Sequence, residues 1–291
     1  LIVGKYLGKN ALAAVGSSFT LMTFLTSILL GLCMGSGAVF SIRFGQRDEE
    51  GLREGAHAAF ALIAALTLAL NAAAFLSLDW VRVFLRVPEE VWGMMREYLA
   101  VIFCGIAATF LYNYFASFLR AVGNSVVPLV FLATSAGLNI VLDLWFVLGL
   151  QRGTGGAAEA TVIAQYVSGT GIAAYTLVKY PQLRPGDGRF QVKPARIREI
   201  AGFSILTCVQ QSVMNLGILM VQGLVNSFGP TVMAAFAAAV KIDAFAYMPV
   251  QDFGNAFSTF IAQNYGAKRE DRIRAGLKGA ALASLAFCVA V

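Results

Sequence analysis

Residues 125–142 read SVVPLVFLATSAGLNIVL, eighteen positions without a charge, and the next residue is Asp143. A helix rises 1.5 Å per residue, so about 20 residues cross a hydrocarbon core of about 30 Å. The stretch therefore fits a membrane span that carries a carboxylate near its end. Comparable uncharged runs occupy 58–78, 98–119 and 200–224. Across all 291 residues 58% are hydrophobic, 13% are charged and the mean hydropathy is +0.71. Soluble domains carry about twice that charge fraction, and a water-soluble fold of this size could not hide so much apolar surface. Period-two alternation is absent, which excludes an outer-membrane barrel. The sequence predicts an all-α fold, a polytopic membrane bundle with spans at 12–42, 54–78, 92–119, 124–149, 157–178, 198–227 and 232–264. Partial spans at both ends bring the total to about nine.

Charge orients the bundle. Alternate loops hold 15 of the 22 basic residues: Arg43, Arg47 and Arg53, then Arg120, then six from Lys179 to Arg198, then five from Lys268 to Lys278. Loops rich in Lys and Arg stay in the cytoplasm. The basic pI near 9.3 thus follows from topology and attraction to an anionic inner leaflet, and a nucleic-acid partner is not expected. The protein is expected in a bacterial cytoplasmic membrane. Cys33, Cys104, Cys208 and Cys288 lack metal-ligand spacing and are expected to be packing thiols. The single His57 is expected in a solvated or capping role at a helix start.

An internal repeat organises the chain. A gapless shift of 221 positions lays Gly8 on Gly229 and Phe24 on Phe245. It also lays Gly45, Arg47, Glu49, Glu50, Leu52, Arg53 and Gly55 on Gly266, Lys268, Glu270, Asp271, Ile273, Arg274 and Gly276. Both charged loops fall on the cytoplasmic side, so the repeats are parallel. Residues 1–179 are expected to form an N-lobe lacking most of its first helix. A linker follows at 180–197, and 198–291 form the first part of a C-lobe. By this register the intact protein holds twelve spans, six per lobe.

The motifs are FLRAVGNSVVP from Phe118, NIVLD at Asn139 to Asp143, GTGGAAEAT at Gly153 to Thr161, MPVQDFGNAF from Met248 and QNYGAK from Gln263. Together with the repeat they resemble the multidrug and toxic compound extrusion (MATE) family over essentially the whole chain. The resemblance implies two six-helix lobes around a cavity that opens alternately to each side. It also implies export of cationic amphiphilic drugs or metabolites, driven by proton or sodium entry, with no cofactor and with the lipid bilayer as surroundings. A monomer is expected. The alternative within the superfamily is a lipid-linked oligosaccharide flippase, which would want a strongly cationic cavity, whereas the basic residues here lie almost all in loops. No HExxH, GxSxG or phosphate-cradling loop occurs, and an enzyme is not expected.

Residue spacing singles out one site without the resemblance. Asn139 and Asp143 stand i to i+4 on one helix face. Asp143 precedes an outer hairpin and Thr161 follows it at similar depth, so an amide, a carboxylate and a hydroxyl can converge on H⁺ or Na⁺. A helix-tying role for Asp143 is the alternative. The resemblance implies a further acidic residue on the first helix, before Leu1. Candidate cavity residues are Tyr112, with Tyr114 and Phe118 as an aromatic wall, and Gln210, Gln211, Lys241 and Asp243 in the C-lobe. Gln210 and Gln211 stand where some family members carry a glutamate. Packing and helix-tying are the alternatives for all of these. Glu159, near the outer interface, is expected to reach toward water.

The parallel repeat makes a direct prediction: residues 45–55 and 266–276 lie on the same side of the membrane. Single cysteines placed in each loop of the full-length chain should react with an impermeant maleimide from the cytoplasmic face only. Labelling of the two loops from opposite faces would remove both the topology and the parallel repeat.

Overall fold

A computed structural model describes residues 2–184 and 192–290. The stretch 185–191 of the expected linker, with Pro185, Gly186 and Arg189, lies outside the described residues. All regular structure among them is helical: α1 (Ile2–Tyr6), α2 (Lys9–Gln46), α3 (Glu49–Leu76), α4 (Leu78–Phe84), α5 (Glu89–Ile102), α6 (Ile106–Ala121), α7 (Val126–Leu144), α8 (Gly153–Lys179), α9 (Pro194–Asn226), α10 (Pro230–Gly266) and α11 (Glu270–Ala290). A 3₁₀ turn at Phe103–Gly105 joins α5 to α6, so Glu89–Ala121 form one span. The seven complete spans expected from sequence correspond to α2, α3, α5 with α6, α7, α8, α9 and α10, with α1 and α11 at the ends. Among the described residues five helical stretches are long and apolar enough to cross a bilayer, and α10 makes a sixth if its two arms are one span. Those arms meet at 44° between Asp243 and Tyr247. Pro249 explains the bend, because its ring displaces the carbonyl four residues earlier. The short α4, with Trp80, Val83 and Phe84 exposed, was not anticipated, since the apolar run of α3 hides its boundary.

The helix starts follow local chemistry. Asp48 caps α3 by accepting the Gly51 N–H at 2.9 Å, and Glu49 and Glu50 complement the helix dipole. Proline opens α9 and α10, where no N–H is needed. Gly8 before α2 and Gly229 before α10 have φ of 88° and 89°, a conformation open to glycine. Arg47 and Lys268, after the same two helices, have φ of 58° and 54°. Both pairs are 221 positions apart. The loops sit side by side: a Cβ on Gly45 would overlap the Gln263 carbonyl, and one on Gly266 would overlap the Ile42 carbonyl. Those contacts are also related by the 221 shift, as expected of a two-fold contact between equivalent helices.

The core gathers around α2, which packs against α3, α5, α6, α9 and α10. Its cytoplasmic half approaches α9 backbone to backbone. A Cβ on Gly31 would overlap Cys208, and one on Gly35 would overlap Ser204, main chain in both cases. This small-residue spacing on facing helices is what allows close contact where lipid supplies no hydrophobic drive. The approach lets Ser204 Oγ donate to the Leu32 carbonyl at 3.0 Å and Thr207 Oγ1 to the Gly31 carbonyl at 2.6 Å. At the outer end the same two helices share a buried polar network. Ser17 Oγ donates to Asn226 Oδ1 at 3.0 Å, Thr20 Oγ1 to Gln222 Oε1 at 3.1 Å, and Asn226 Nδ2 to the Leu85 carbonyl at 2.8 Å.

Replacing Gly35 by Val in the full-length chain should force α2 from α9 at a cost of about 1–3 kcal/mol, by the overpacking rule. The midpoint of thermal unfolding in detergent should fall by several degrees. Gly137→Ala, where a Cβ meets nothing within 4 Å, should leave the midpoint unchanged. Equal midpoints for the two variants would contradict the close seam.

Candidate functional site

The chemistry of α7 is decided in its last turns. Asn139 and Asp143 lie one turn apart on a helix otherwise facing apolar surroundings, and both are half-buried. Asn139 Nδ2 donates to Thr161 Oγ1 of α8 at 3.2 Å, and the Thr161 hydroxyl donates to the Ala157 carbonyl at 3.0 Å. One Asp143 oxygen, Oδ1, is buried and has no hydrogen-bond partner among the described residues. Placing an unsatisfied carboxylate oxygen in an apolar setting costs several kcal/mol unless a proton, cation or donor arrives. Directly after Asp143 the helix widens into a π turn, Trp145–Gly149. Such turns cluster at functional sites.

Tyr98 joins this group from α5. It is buried, and its phenol lies close enough to the Thr161 side chain and to Asp143 to feel both. An amide, two hydroxyls and a carboxylate from α5, α7 and α8 thus converge. The sequence did not single out Tyr98: its place depends on how α5 packs on α8, which no local spacing encodes. Oxygen donors of this kind suit a proton or a hard monovalent cation. Among the described residues no group of three or more His, Cys, Asp or Glu comes together.

The other candidates separate. Tyr112 Oη donates to the Pro128 carbonyl at 3.0 Å, tying α6 to α7. Tyr114 and Phe118 are buried with Phe40 in the aromatic core, and Tyr114 Oη donates to the Ala56 carbonyl at 2.7 Å. They pack the core and form no exposed wall. Gln211 is buried while Gln210 faces outward, so the two amides are not brought together. The Lys241 ammonium sits 3.3 Å from the centroid of the Phe19 ring, joining α10 to α2. Asp243, two positions further along α10, is exposed. Glu159 pairs with Arg152 at 2.7 Å, which is why a charge is tolerated near the outer interface. His57 is buried at 4% exposure beside the Leu183 backbone, a correction to the solvated role expected for it.

Comparison with known proteins gives concordant results. The MatE family model matches residues 1–145 and 204–291. The probable multidrug resistance protein YpnP of Bacillus subtilis is 29% identical over 273 residues, covering 94% of this chain and 61% of that protein. The probable multidrug resistance protein NorM of Thermotoga maritima is 24% identical over 293 residues, covering 99% of this chain and 63% of that protein. A solved structure of the MATE multidrug transporter DinF-BH superposes with a TM-score of 0.88 at 26% identity, over 99% of this chain and 65% of that one. The chain therefore spans less than two thirds of the length of these relatives. With the family model matching most of the chain and the helices superposing on a solved transporter, this multi-pass membrane protein belongs to the MatE family.

Proposed function

We propose that this chain is part of a secondary active transporter that exports cationic amphiphilic drugs or metabolites in exchange for H⁺ or Na⁺. The observation that carries the coupling is the partnerless Asp143 Oδ1 beside the Asn139–Thr161 hydrogen bond. Among the described residues no Lys or Arg pairs with this carboxylate; an intramembrane carboxylate in that setting is stabilised by the ion it binds, and its neutralisation favours a different packing of α7 and α8. The relatives' names, multidrug resistance proteins, support drugs as cargo, and no observation favours the flippase alternative. In this reading residues 1–179 form one lobe, 198–291 begin the second and 180–197 join them. Transport follows from the lobes rocking between inward and outward forms. Lys241 and Phe19, facing each other across the lobes, line the route together with Gln211.

Asp143→Asn in the full-length chain should insert normally and reduce ion-driven efflux of ethidium from loaded vesicles to the level of protein-free vesicles. Wild-type efflux with unchanged dependence on pH and Na⁺ would demote Asp143 to a helix tie. Tyr98→Phe removes one hydroxyl and should weaken the apparent affinity for the driving ion about five-fold, the worth of one hydrogen bond of about 1 kcal/mol. Glu159→Gln should leave that affinity unchanged, because Glu159 is engaged by Arg152 away from the site.

A further inference from the structure

One cation within a span is used by neither the ion site nor the helix seams. Lys241 of α10 lies about 16 Å from the outer end of that helix at 1.5 Å per residue, and it is half-buried. Its ammonium sits over the Phe19 ring of α2. One turn outward the two helices touch, where a Cβ on Gly16 would overlap Ala237. Lys241 therefore stands where the two proposed lobes meet. Among the described residues it forms no salt bridge, and Asp243, two positions further along α10, is exposed. The polar groups of α2 at this level are neutral and already engaged: Ser17 Oγ donates to Asn226 Oδ1 at 3.0 Å, and Thr20 Oγ1 to Gln222 Oε1 at 3.1 Å. Nor does the repeat call for a charge here. The 221 shift lays Lys241 on Thr20, whose hydroxyl is satisfied by α9. An ammonium drawn out of water onto an aromatic face has exchanged part of its hydration for the ring and still lacks a counter-charge.

We propose that Lys241 determines cargo specificity by taking a carboxylate carried on the cationic amphiphile, with the Phe19 ring as the apolar platform beside it. The ammonium has three donors on a flexible stem, so it can hold a carboxylate oxygen without leaving the ring. Cargo that is only cationic meets a like charge at this point and is disfavoured, whereas a zwitterion supplies the missing counter-charge. The inference rests on the transport reading above and narrows its cargo.

The test uses two fluorescent rhodamines that differ in one group, a cationic methyl ester and its zwitterionic free acid. Their binding to the purified full-length chain is followed by fluorescence anisotropy. Wild type should bind the free acid about ten-fold more tightly than the ester, the worth of one charge-assisted hydrogen bond. Lys241→Met keeps an unbranched side chain that can still pack on Phe19. It should weaken the free acid about ten-fold while the ester holds or gains, and Lys241→Arg should retain the preference. A helix tie would move both dyes together. Equal affinities for the two dyes in wild type, or a Lys241→Met variant in which the ratio between them is unchanged, would overturn the assignment. Efflux of both dyes from vesicles separates this result from the transport reading. Export of ester and acid alike, with no dependence on Lys241, would overturn the selection and leave the transport reading standing. A Lys241-dependent binding preference in a protein that exports neither dye would support the assignment and overturn the transport reading.

Discussion

Everything in this bundle depends on how closely α2 and α9 approach. Lipid offers apolar side chains as good an environment as another helix does, so burial alone does not hold two spans together. Glycine at 31 and 35 facing Cys208 and Ser204 brings main chain to main chain. Hydroxyls then reach carbonyls that are already engaged within the helices. The outer half uses a different device, the Ser17, Thr20, Gln222 and Asn226 network, each member buried and each paired. Hydrocarbon cannot satisfy these groups, so separating the helices would expose several polar atoms at once. With α2 fixed, α3, α5, α6 and α10 take their places around it.

That same demand for polar satisfaction makes Asp143 conspicuous. Nearly every other intramembrane polar group in the described N-terminal helices has found a partner: Tyr112 on Pro128, Tyr114 on Ala56, Asn71 on Phe103, Ser135 on Ala164. Asp143 keeps one buried oxygen unanswered, next to an amide and hydroxyls already oriented by α8. In the function proposed here, that oxygen is where the proton or cation is exchanged with water when access changes. A π turn follows it at Trp145–Gly149, a form of helix found often at functional sites.

Much of this was legible in the sequence, for identifiable reasons. Charge-free runs mark spans because a charge in hydrocarbon is costly. The repeat showed in a charged loop because those residues must turn the chain identically twice, as the matched φ values of Arg47 and Lys268 show. Asn139 and Asp143 were visible because i to i+4 spacing fixes a shared face, and Thr161 because a hairpin fixes depth. Tyr98 was not, since one Tyr among nine becomes a site residue only through packing of α5 on α8. Tyr114 and Phe118 were open to both a cavity wall and core packing, since aromatic residues line cavities and cores alike, and their burial decides for packing. The burial of His57 was hidden for the opposite reason: its neighbour Leu183 is more than 120 positions away in sequence.

The central claim is that the coupling ion resides at Asp143. Counting ions bound by the purified full-length protein, with radioactive Na⁺ and with proton release on addition of cargo, tests it without depending on transport. The account predicts that Asp143→Asn loses one bound H⁺ or Na⁺ per chain while the protein remains folded. An unchanged count in that variant would place the coupling ion elsewhere and contradict it.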